Sequence, residues 1–207
     1  MKNSIRILLA DDHPSLRAGL AAILASQPDF EVVAEAGTGR EVLEQLALHS
    51  ADVIIVDLRM PDGDGIQTIK ALVKRDPAVR VLVLTTYDNE EDIFAALEAG
   101  ARGYLLKDTT KEEIITAVRQ VHEGKRFLPQ AIASRLADRM VRPGLTPREL
   151  DVLRLVSRGR ANKEIASAMF ISEETVKTHM KSLFQKLGVH DRAEAVSVSL
   201  QRGLIRL

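Results

Sequence analysis

The 207-residue chain contains no cysteine and no tryptophan, and aromatic residues make up only 3% of it. The absence of cysteine excludes a disulfide framework, a thiolate metal site and a cysteine nucleophile. The scarcity of aromatic residues argues against stacking surfaces for sugars or single-stranded nucleic acid. No apolar run approaches the roughly 18 residues that a membrane span requires, and the N-terminal apolar stretch is too short for a secretory signal. We therefore expect a cytoplasmic protein with no membrane partner, whose binding depends on charge and helices.

Charge is distributed unevenly along the chain, although the formal net charge is zero. Residues 1–140 carry 17 Lys and Arg against 22 Asp and Glu, whereas residues 141–207 carry 12 against 7. The first part therefore has a net charge of −5 and the second part +5. This asymmetry predicts two modules, of which the second could approach a polyanion.

Short runs of β-branched residues and leucine alternate five times with longer segments of helical periodicity. The predicted strands are 5–10, 30–36, 53–57, 79–85 and 103–107, and the predicted helices are 15–26, 39–49, 65–74, 90–99 and 111–123. Strict alternation of this kind predicts an α/β fold, a doubly wound five-stranded parallel sheet with helices on both faces. Its ligand site is expected at the carboxyl ends of the strands.

The alternation stops after residue 124, which defines a first domain of residues 1–124. A linker is predicted at 125–144, with helical spacing at 130–140, before a second domain at 145–207. Thr146, Pro147 and Glu149 form a predicted capping box that begins a purely helical module. Its predicted helices are 149–157, 162–168, 172–187 and 193–201. The two middle helices have the spacing of a helix-turn-helix.

Polar side chains lie at the ends of four predicted strands. Asp11 and Asp12 end the first strand and Asp57 the third, while Thr85 and Lys107 end the fourth and fifth. With the strand order 2-1-3-4-5, the carboxylates meet at one edge of the sheet. Crowded carboxylates require a cation or raise one another's pKa, and a set of oxygen ligands suits Mg²⁺. Each aspartate taken alone could instead be a turn residue or a helix cap.

These residues resemble the receiver domain of two-component response regulators over residues 4–124. The motifs that carry the resemblance are Asp11-Asp12, Asp57 with the nearby MPDGDG, Thr85, Tyr104 and Lys107. The resemblance implies a flavodoxin-like sheet in which a sensor histidine kinase phosphorylates Asp57. It also implies that Asp12, Asp57 and the carbonyl of Arg59 hold Mg²⁺, with Asp11 contributing through water.

The same resemblance assigns roles to three further side chains. Lys107 would pair with the phosphoryl group and Thr85 would sense it through its hydroxyl. Tyr104 would be the switch aromatic that turns inward, although an aromatic that only packs on the fifth strand is an alternative. Receivers often have a proline after the lysine, whereas this chain has Asp108. In this respect the chain is similar to receivers that are joined to LuxR-type DNA-binding domains.

Residues 145–201 resemble a LuxR-type DNA-binding domain, through the motifs LTPRE, NKEIA, TVK and KLGV in that order. The whole chain is thus similar to response regulators of the NarL/LuxR type, and the resemblance implies a homodimer on double-stranded promoter DNA. The predicted helix 193–201 resembles the dimerisation helix of the family, and the face formed by residues 85–111 is a second candidate for the dimer surface. The side chains that it implies at base edges or nearby phosphates are Lys177, Thr178 and Lys181. Those that it implies nearer the DNA backbone are Ser172, Thr175 and His179. Exposed lysines can also serve solubility alone.

Two other functions are compatible with parts of this pattern. A metal-dependent phosphatase could form an aspartyl phosphate at the acidic cluster, but no further segment is present to enclose a substrate. A transcription factor that senses a small ligand could carry the same helical module, but it would lack the carboxylate set. We therefore expect a regulator of transcription and not an enzyme.

Overall fold

The computed structural model describes residues 4–61 and 63–205. They divide into two compact units, one formed by residues up to 133 except 89–91, and the other by residues 89–91 and those from 134 onward. Among the described residues, no helix is both long and apolar enough to cross a membrane.

The first unit contains a five-stranded parallel sheet with the order β2-β1-β3-β6-β7. In chain order the strands are β1 Ile5–Ala10, β2 Phe30–Ala36, β3 Val53–Val56, β4 Arg59–Met60, β5 Gly63–Asp64, β6 Val81–Thr85 and β7 Gly103–Leu106. Without the two-residue strands, this order is the predicted 2-1-3-4-5. The antiparallel pairing of β4 with β5 is an additional element that the sequence pattern did not predict.

Helices cover both faces of this sheet. They are α1 Pro14–Ala25, α2 Gly39–Leu48, α3 Gly65–Arg75, α4 Glu90–Glu98 and α5 Lys111–His122. A further helix, α6 Gln130–Val141, begins in the first unit and continues into the second. Successive residues of β3 point to opposite faces: Ile54 packs in the apolar cluster that includes α2, α3 and α4, and Ile55 in the cluster with α1 and α5. Because both faces are buried, β3 consists of apolar residues only. The predicted fold class is confirmed.

Three strand boundaries differ from the prediction, and one of them is the end of β7, which lies at Leu106, one residue before Lys107. β3 ends at Val56, one residue before Asp57, although the Asp57 N–H still donates to the carbonyl of Ala10 at 2.8 Å. β6 begins at Val81, because the N–H of Val79 donates to the carbonyl of Asp76 in the preceding turn. Asp57 therefore lies at the point where the backbone leaves the sheet.

The second unit is helical, as expected. Its helices are α7 Pro147–Ser157, α8 Asn162–Met169, α9 Glu173–Leu187 and α10 Arg192–Arg202. The predicted capping box is present, because the Thr146 side chain accepts from the Glu149 N–H and the Glu149 carboxylate accepts from the Thr146 N–H. Val152, Val176 and Leu183 are buried in the apolar clusters that pack these helices together.

The segment 125–144, interpreted as a linker, contains ordered elements. The N–H of Phe127 donates to the carbonyl of Arg102, and Phe127 forms an isolated bridge with Gly103 of β7. Ile132 of α6 is buried in the core of the first unit. The domain limits at 124 and 145 remain a prediction.

Candidate functional site

A lysine joins two buried aspartates at the carboxyl edge of the sheet. Lys107 Nζ lies 2.6 Å from Asp57 Oδ2 and 2.7 Å from Asp11 Oδ2. The three residues follow β7, β3 and β1, so the parallel strands bring them together as predicted. Burial by itself lowers the pKa of Lys107, but the hydrogen bonds to Asp11 and Asp57 raise that pKa above its ordinary value. The ammonium group therefore stays charged between the two carboxylates.

Asp12 and His13 extend this cluster toward the surface. The Asp12 side chain is 27% exposed, and its Oδ1 lies 2.8 Å from His13 Nδ1. Asp11 Oδ1 accepts a hydrogen bond from the backbone N–H of His13 at 2.8 Å, which fixes the turn between β1 and α1. Ligand atoms of Asp11, Asp12, His13 and Asp57 all lie within 4.8 Å of one another.

The chemistry of this cluster fits Mg²⁺. Three of the four potential ligand groups are carboxylates, which are the ligands that Mg²⁺ prefers. Lys107 contacts two of these three carboxylates, Asp11 and Asp57, so the three negative charges exceed the one lysine charge and the cluster attracts a further cation. Arg59, whose carbonyl is implied as a ligand, is the first residue of β4, and its N–H lies 3.3 Å from Asp57 Oδ1.

Thr85 and Thr86 have different surroundings at the end of β6. Thr85 is fully buried, whereas Thr86 is exposed. The Thr85 hydroxyl is buried and has no hydrogen-bond partner in the part of the chain that the structure describes. The backbone holds Thr85 beside the lysine, because the Lys107 N–H donates to the Thr85 carbonyl at 2.8 Å. The threonine that the resemblance assigned to phosphate sensing is thus the inward one.

Tyr104 is fully buried with its ring turned into the unit. Its hydroxyl donates to the backbone carbonyl of Tyr87 at 2.7 Å, in the segment between β6 and α4. Burial raises the pKa of Tyr104 above its ordinary value, and the negative charges of Asp92 and Asp88 raise it further. The hydroxyl therefore remains a neutral hydrogen-bond donor. This inward position differs from that of an edge aromatic that only packs on β7.

The helix α9 presents a polar face to solvent. Lys177, Thr178 and Lys181 are exposed, while Val176 and Met180 are buried against α7 and α8. Lys177 Nζ lies 3.2 Å from Glu174 Oε2, and the Thr178 hydroxyl donates to the Glu174 carbonyl. Lys177 thus pairs with an acid of the preceding turn while it remains exposed to solvent.

The remaining predicted DNA-contacting residues lie around the start of the same helix. Ser172 is the N-cap of α9, and its Oγ accepts from the Thr175 N–H at 3.0 Å. Ser172 and Thr175 are exposed, whereas His179 is half-buried. The turn before α9 contains Phe170, which has a φ of 56° and is 95% exposed.

The helix assigned to dimerisation contributes to the core of its own unit. In α10, Ala195 is buried in the apolar cluster that includes Leu183 of α9. Val196, Val198 and Leu200 are half-buried against that cluster. Much of the apolar surface of α10 therefore packs within the unit, and its role in dimerisation remains a prediction.

A buried carboxylate fixes α9 to α7. The side chain of Glu149 is 5% exposed and accepts hydrogen bonds from Lys186 Nζ at 2.8 Å and Ser182 Oγ at 2.7 Å, besides its bond to the Thr146 N–H. Burial alone raises the pKa of Glu149, but the hydrogen bonds from Lys186, Thr146 and Ser182 outweigh it and lower this pKa to about 2. Glu149 thus stabilises both the start of α7 and the C-terminal half of α9.

Comparison with known families assigns both units. Residues 7–119 match the family described as response regulator receiver domain, and residues 143–199 match bacterial regulatory proteins of the luxR family. This chain is a LuxR-family response regulator. It contains both units that the sequence analysis predicted, and the family consists of DNA-binding transcription regulators and not of enzymes.

Relatives of this response regulator extend over its whole length. The uncharacterized transcriptional regulatory protein YhcZ of Bacillus subtilis is 43% identical over 97% of each chain. A nitrate/nitrite response regulator protein homolog of Haemophilus influenzae is 39% identical over 94% of this chain and 96% of its own. Among solved structures, RcsB of Salmonella enterica serovar Typhimurium, bound to the P1flhDC promoter in the presence of phosphomimetic BeF3-, has a TM-score of 0.76. It is 30% identical and covers 97% of this chain and 100% of its own.

Three side-chain arrangements of this response regulator were not predicted from its sequence. The first is the contact of His13 with Asp12, although the position of His13 directly after the two aspartates was a usable signal. The Lys186 and Ser182 contacts of Glu149 had no local signal, because they connect residues 37 and 33 positions apart. The third arrangement is the ion pair between Arg59 and Asp92, which lie 33 positions apart.

Proposed function

We propose that this response regulator accepts a phosphoryl group on Asp57 from a sensor histidine kinase and thereby regulates transcription. A carboxylate oxygen of Asp57 would bond to phosphorus while the bond from phosphorus to the kinase histidine breaks, and the electron pair of that bond stays on the histidine. The product would be an acyl phosphate on Asp57. The kinase and its stimulus are thus the input, and the DNA-binding unit is the output.

The observation that carries this proposal is the buried hydroxyl of Thr85, which has no hydrogen-bond partner among the described residues, in a residue whose backbone carbonyl accepts the Lys107 N–H. A buried hydroxyl without a partner costs about 1–3 kcal/mol, so a folded protein seldom keeps one without a use. A phosphoryl group on Asp57 would give Thr85 an oxygen to which it can donate. It would also give the charged Lys107 a second anionic partner in addition to Asp11.

The acidic residues would hold Mg²⁺ for this reaction. We assign Asp12, Asp57 and the carbonyl of Arg59 as its protein ligands, with Asp11 acting through water. The bound ion would offset the negative charge on the phosphoryl oxygens as the bond forms. Asp11 would also keep Lys107 in place while Asp57 is modified, because it contacts the same ammonium at 2.7 Å.

The output would be a homodimer that binds double-stranded promoter DNA through α9. Lys177, Thr178 and Lys181 would contact base edges or adjacent phosphates, because they are exposed on the face opposite the buried Val176. The side chains assigned to the DNA backbone are Ser172, Thr175 and His179. The RcsB structure bound to a promoter in the presence of a phosphomimetic supports the proposal of promoter binding by similarity.

Phosphorylation is expected to strengthen DNA binding. A tenfold gain in DNA affinity requires that phosphorylation favour the arrangement that binds DNA by about 1.4 kcal/mol. Fluorescence anisotropy can test this with duplexes selected from a random pool, in Mg²⁺, with and without acetyl phosphate. We expect acetyl phosphate to lower Kd for the wild type and to leave Kd unchanged for Asp57→Asn. Equal Kd values for the wild type in both conditions, once phosphate uptake is verified, would contradict the proposed coupling.

Lys177→Ala is expected to weaken specific DNA binding by about 1–3 kcal/mol if this lysine contacts a base edge. Anisotropy at fixed salt, with the selected duplex and with base-substituted duplexes, measures both affinity and preference. Lys74→Ala is the matched control, because it removes the same charge from an exposed position on α3 of the other unit. Wild-type affinity and preference in the Lys177 variant would exclude this residue from sequence recognition.

A further inference from the structure

A second ion pair lies beside the phosphoacceptor cluster and connects it to α4. Arg59 Nη2 lies 3.1 Å from Asp92 Oδ2, and the side chain of Asp92 is only 5% exposed. A buried carboxylate is costly unless a cation compensates it, so loss of either partner disturbs this region strongly. Arg59 follows Asp57 by two residues, whereas Asp92 belongs to the first turn of α4. The pair therefore joins the backbone after the phosphoacceptor to a helix on the face of the sheet.

The same guanidinium also stacks on Tyr87. Arg59 Cζ lies 4.5 Å from the centroid of the Tyr87 ring, a distance at which the cation and the ring face attract each other. Arginine can use its edge for a carboxylate and its face for an aromatic ring at the same time, which lysine cannot do. Arg59 thus contacts the segment between β6 and α4 through Tyr87 and the first turn of α4 through Asp92.

Tyr87 in turn holds the inward Tyr104. The Tyr87 backbone carbonyl accepts the Tyr104 hydroxyl at 2.7 Å, while the ring of the same residue lies under Arg59. A continuous set of contacts therefore runs from Asp57, through the Arg59 N–H at 3.3 Å, to the buried Tyr104 ring. A tyrosine ring can adopt two discrete arrangements, one buried and one turned outward. Contacts that hold its hydroxyl can shift the equilibrium between them.

We infer that Arg59 and Asp92 are positioning residues that hold Tyr104 in its inward position. The effect of this pair on Tyr104 does not depend on phosphorylation, but the use of that effect in signalling rests on the proposed function. When Arg59 and Asp92 are paired, the segment containing Tyr87 presents its carbonyl to the Tyr104 hydroxyl. When the pair is broken, that segment is free to move and the inward ring loses its acceptor.

The chain offers a direct test, because Tyr87 and Tyr104 are its only two tyrosines. Full-length protein labelled with carbon-13 at the tyrosine ε positions gives two sets of ring signals, which Tyr87→Phe assigns. A neutral gadolinium chelate then reports the solvent exposure of each ring, with the 38% exposed Tyr87 as an internal reference. Wild-type Tyr104 is expected to be protected from the chelate.

Asp92→Asn and Arg59→Met are each expected to raise the ratio of outward to inward Tyr104 about tenfold, equivalent to about 1.4 kcal/mol. The double variant should add little to either single change, because both remove the same ion pair. Glu98→Gln is the matched control, because it neutralises an exposed acid on the same helix and should leave Tyr104 protected. Arg59→Gln, which keeps a polar side chain but removes the charge that pairs with Asp92, replaces Arg59→Met if that variant unfolds.

Protection of Tyr104 equal to wild type in folded Asp92→Asn and in the folded Arg59 variant would overturn this inference. Phosphate uptake from acetyl phosphate is measured separately by intact mass on the wild type. Lack of uptake there would count against the proposed function and would leave the comparison of Tyr104 exposure valid. The two failures are therefore distinguishable.

Discussion

Glu149→Ala is expected to lower the free energy of unfolding of the DNA-binding unit by about 3–5 kcal/mol, the usual cost of breaking a buried ion pair. The change removes a side chain that accepts hydrogen bonds from Lys186, Ser182 and the Thr146 N–H. It leaves the Lys186 ammonium without that carboxylate and the start of α7 without half of its capping box. Hydrogen exchange of full-length protein should accelerate at least about 100-fold in peptides from α7 and α9.

Glu173→Ala provides the matched control, because it removes an exposed carboxylate from the first turn of α9. Exchange in α7 should then stay close to that of the wild type. Peptides from the receiver sheet, such as those covering β1 and β3, should be unchanged in both variants. Equal exchange of α7 in the wild type and in Glu149→Ala would show that this carboxylate does not hold the two helices together.

The same carboxylate has a defined pH dependence. The pKa of Glu149 is lowered from 4.5 to about 2 in the folded protein, so its contribution to the free energy of unfolding is fully present above about pH 4.5. This contribution, about 3 kcal/mol, is lost as the pH falls toward 2. The stability difference between wild type and Glu149→Gln should therefore shrink over this interval.

Sequence pattern was sufficient for the architecture of the receiver and for its acidic cluster. Alternating strands and helices determine a parallel sheet, and a parallel sheet brings the ends of β1, β3 and β7 to one edge. Asp11, Asp57 and Lys107 could thus be placed together before any distance was known. The capping box at Thr146 and Glu149 was also predictable, because all of its contacts lie within three residues.

Contacts between distant segments could not be predicted in the same way. The Arg59 and Asp92 pair depends on how α4 packs beside the short strand β4, and β4 itself has no hydrophobic pattern. The second role of Glu149 depends on the rotation of α9 against α7, which places Ser182 and Lys186 over its carboxylate. Charged residues follow no period, so their partners are determined by tertiary packing.

Asp57→Ala is expected to abolish phosphate uptake without unfolding the receiver. The change removes the carboxylate proposed to bond to phosphorus, while Asp11 still contacts Lys107 Nζ at 2.7 Å and keeps the ammonium compensated. Far-UV circular dichroism should therefore remain that of the wild type. Asp108→Ala is the matched control, because it removes an exposed carboxylate one residue from Lys107.

The measurement that tests the central claim most directly is the intact mass of wild type, Asp57→Ala and Asp108→Ala after incubation with Mg²⁺ and acetyl phosphate. Phosphorylation at Asp57 predicts a single phosphoryl adduct on wild type and on Asp108→Ala, and none on Asp57→Ala. An adduct of equal extent on Asp57→Ala would contradict the claim that Asp57 is the phosphoacceptor.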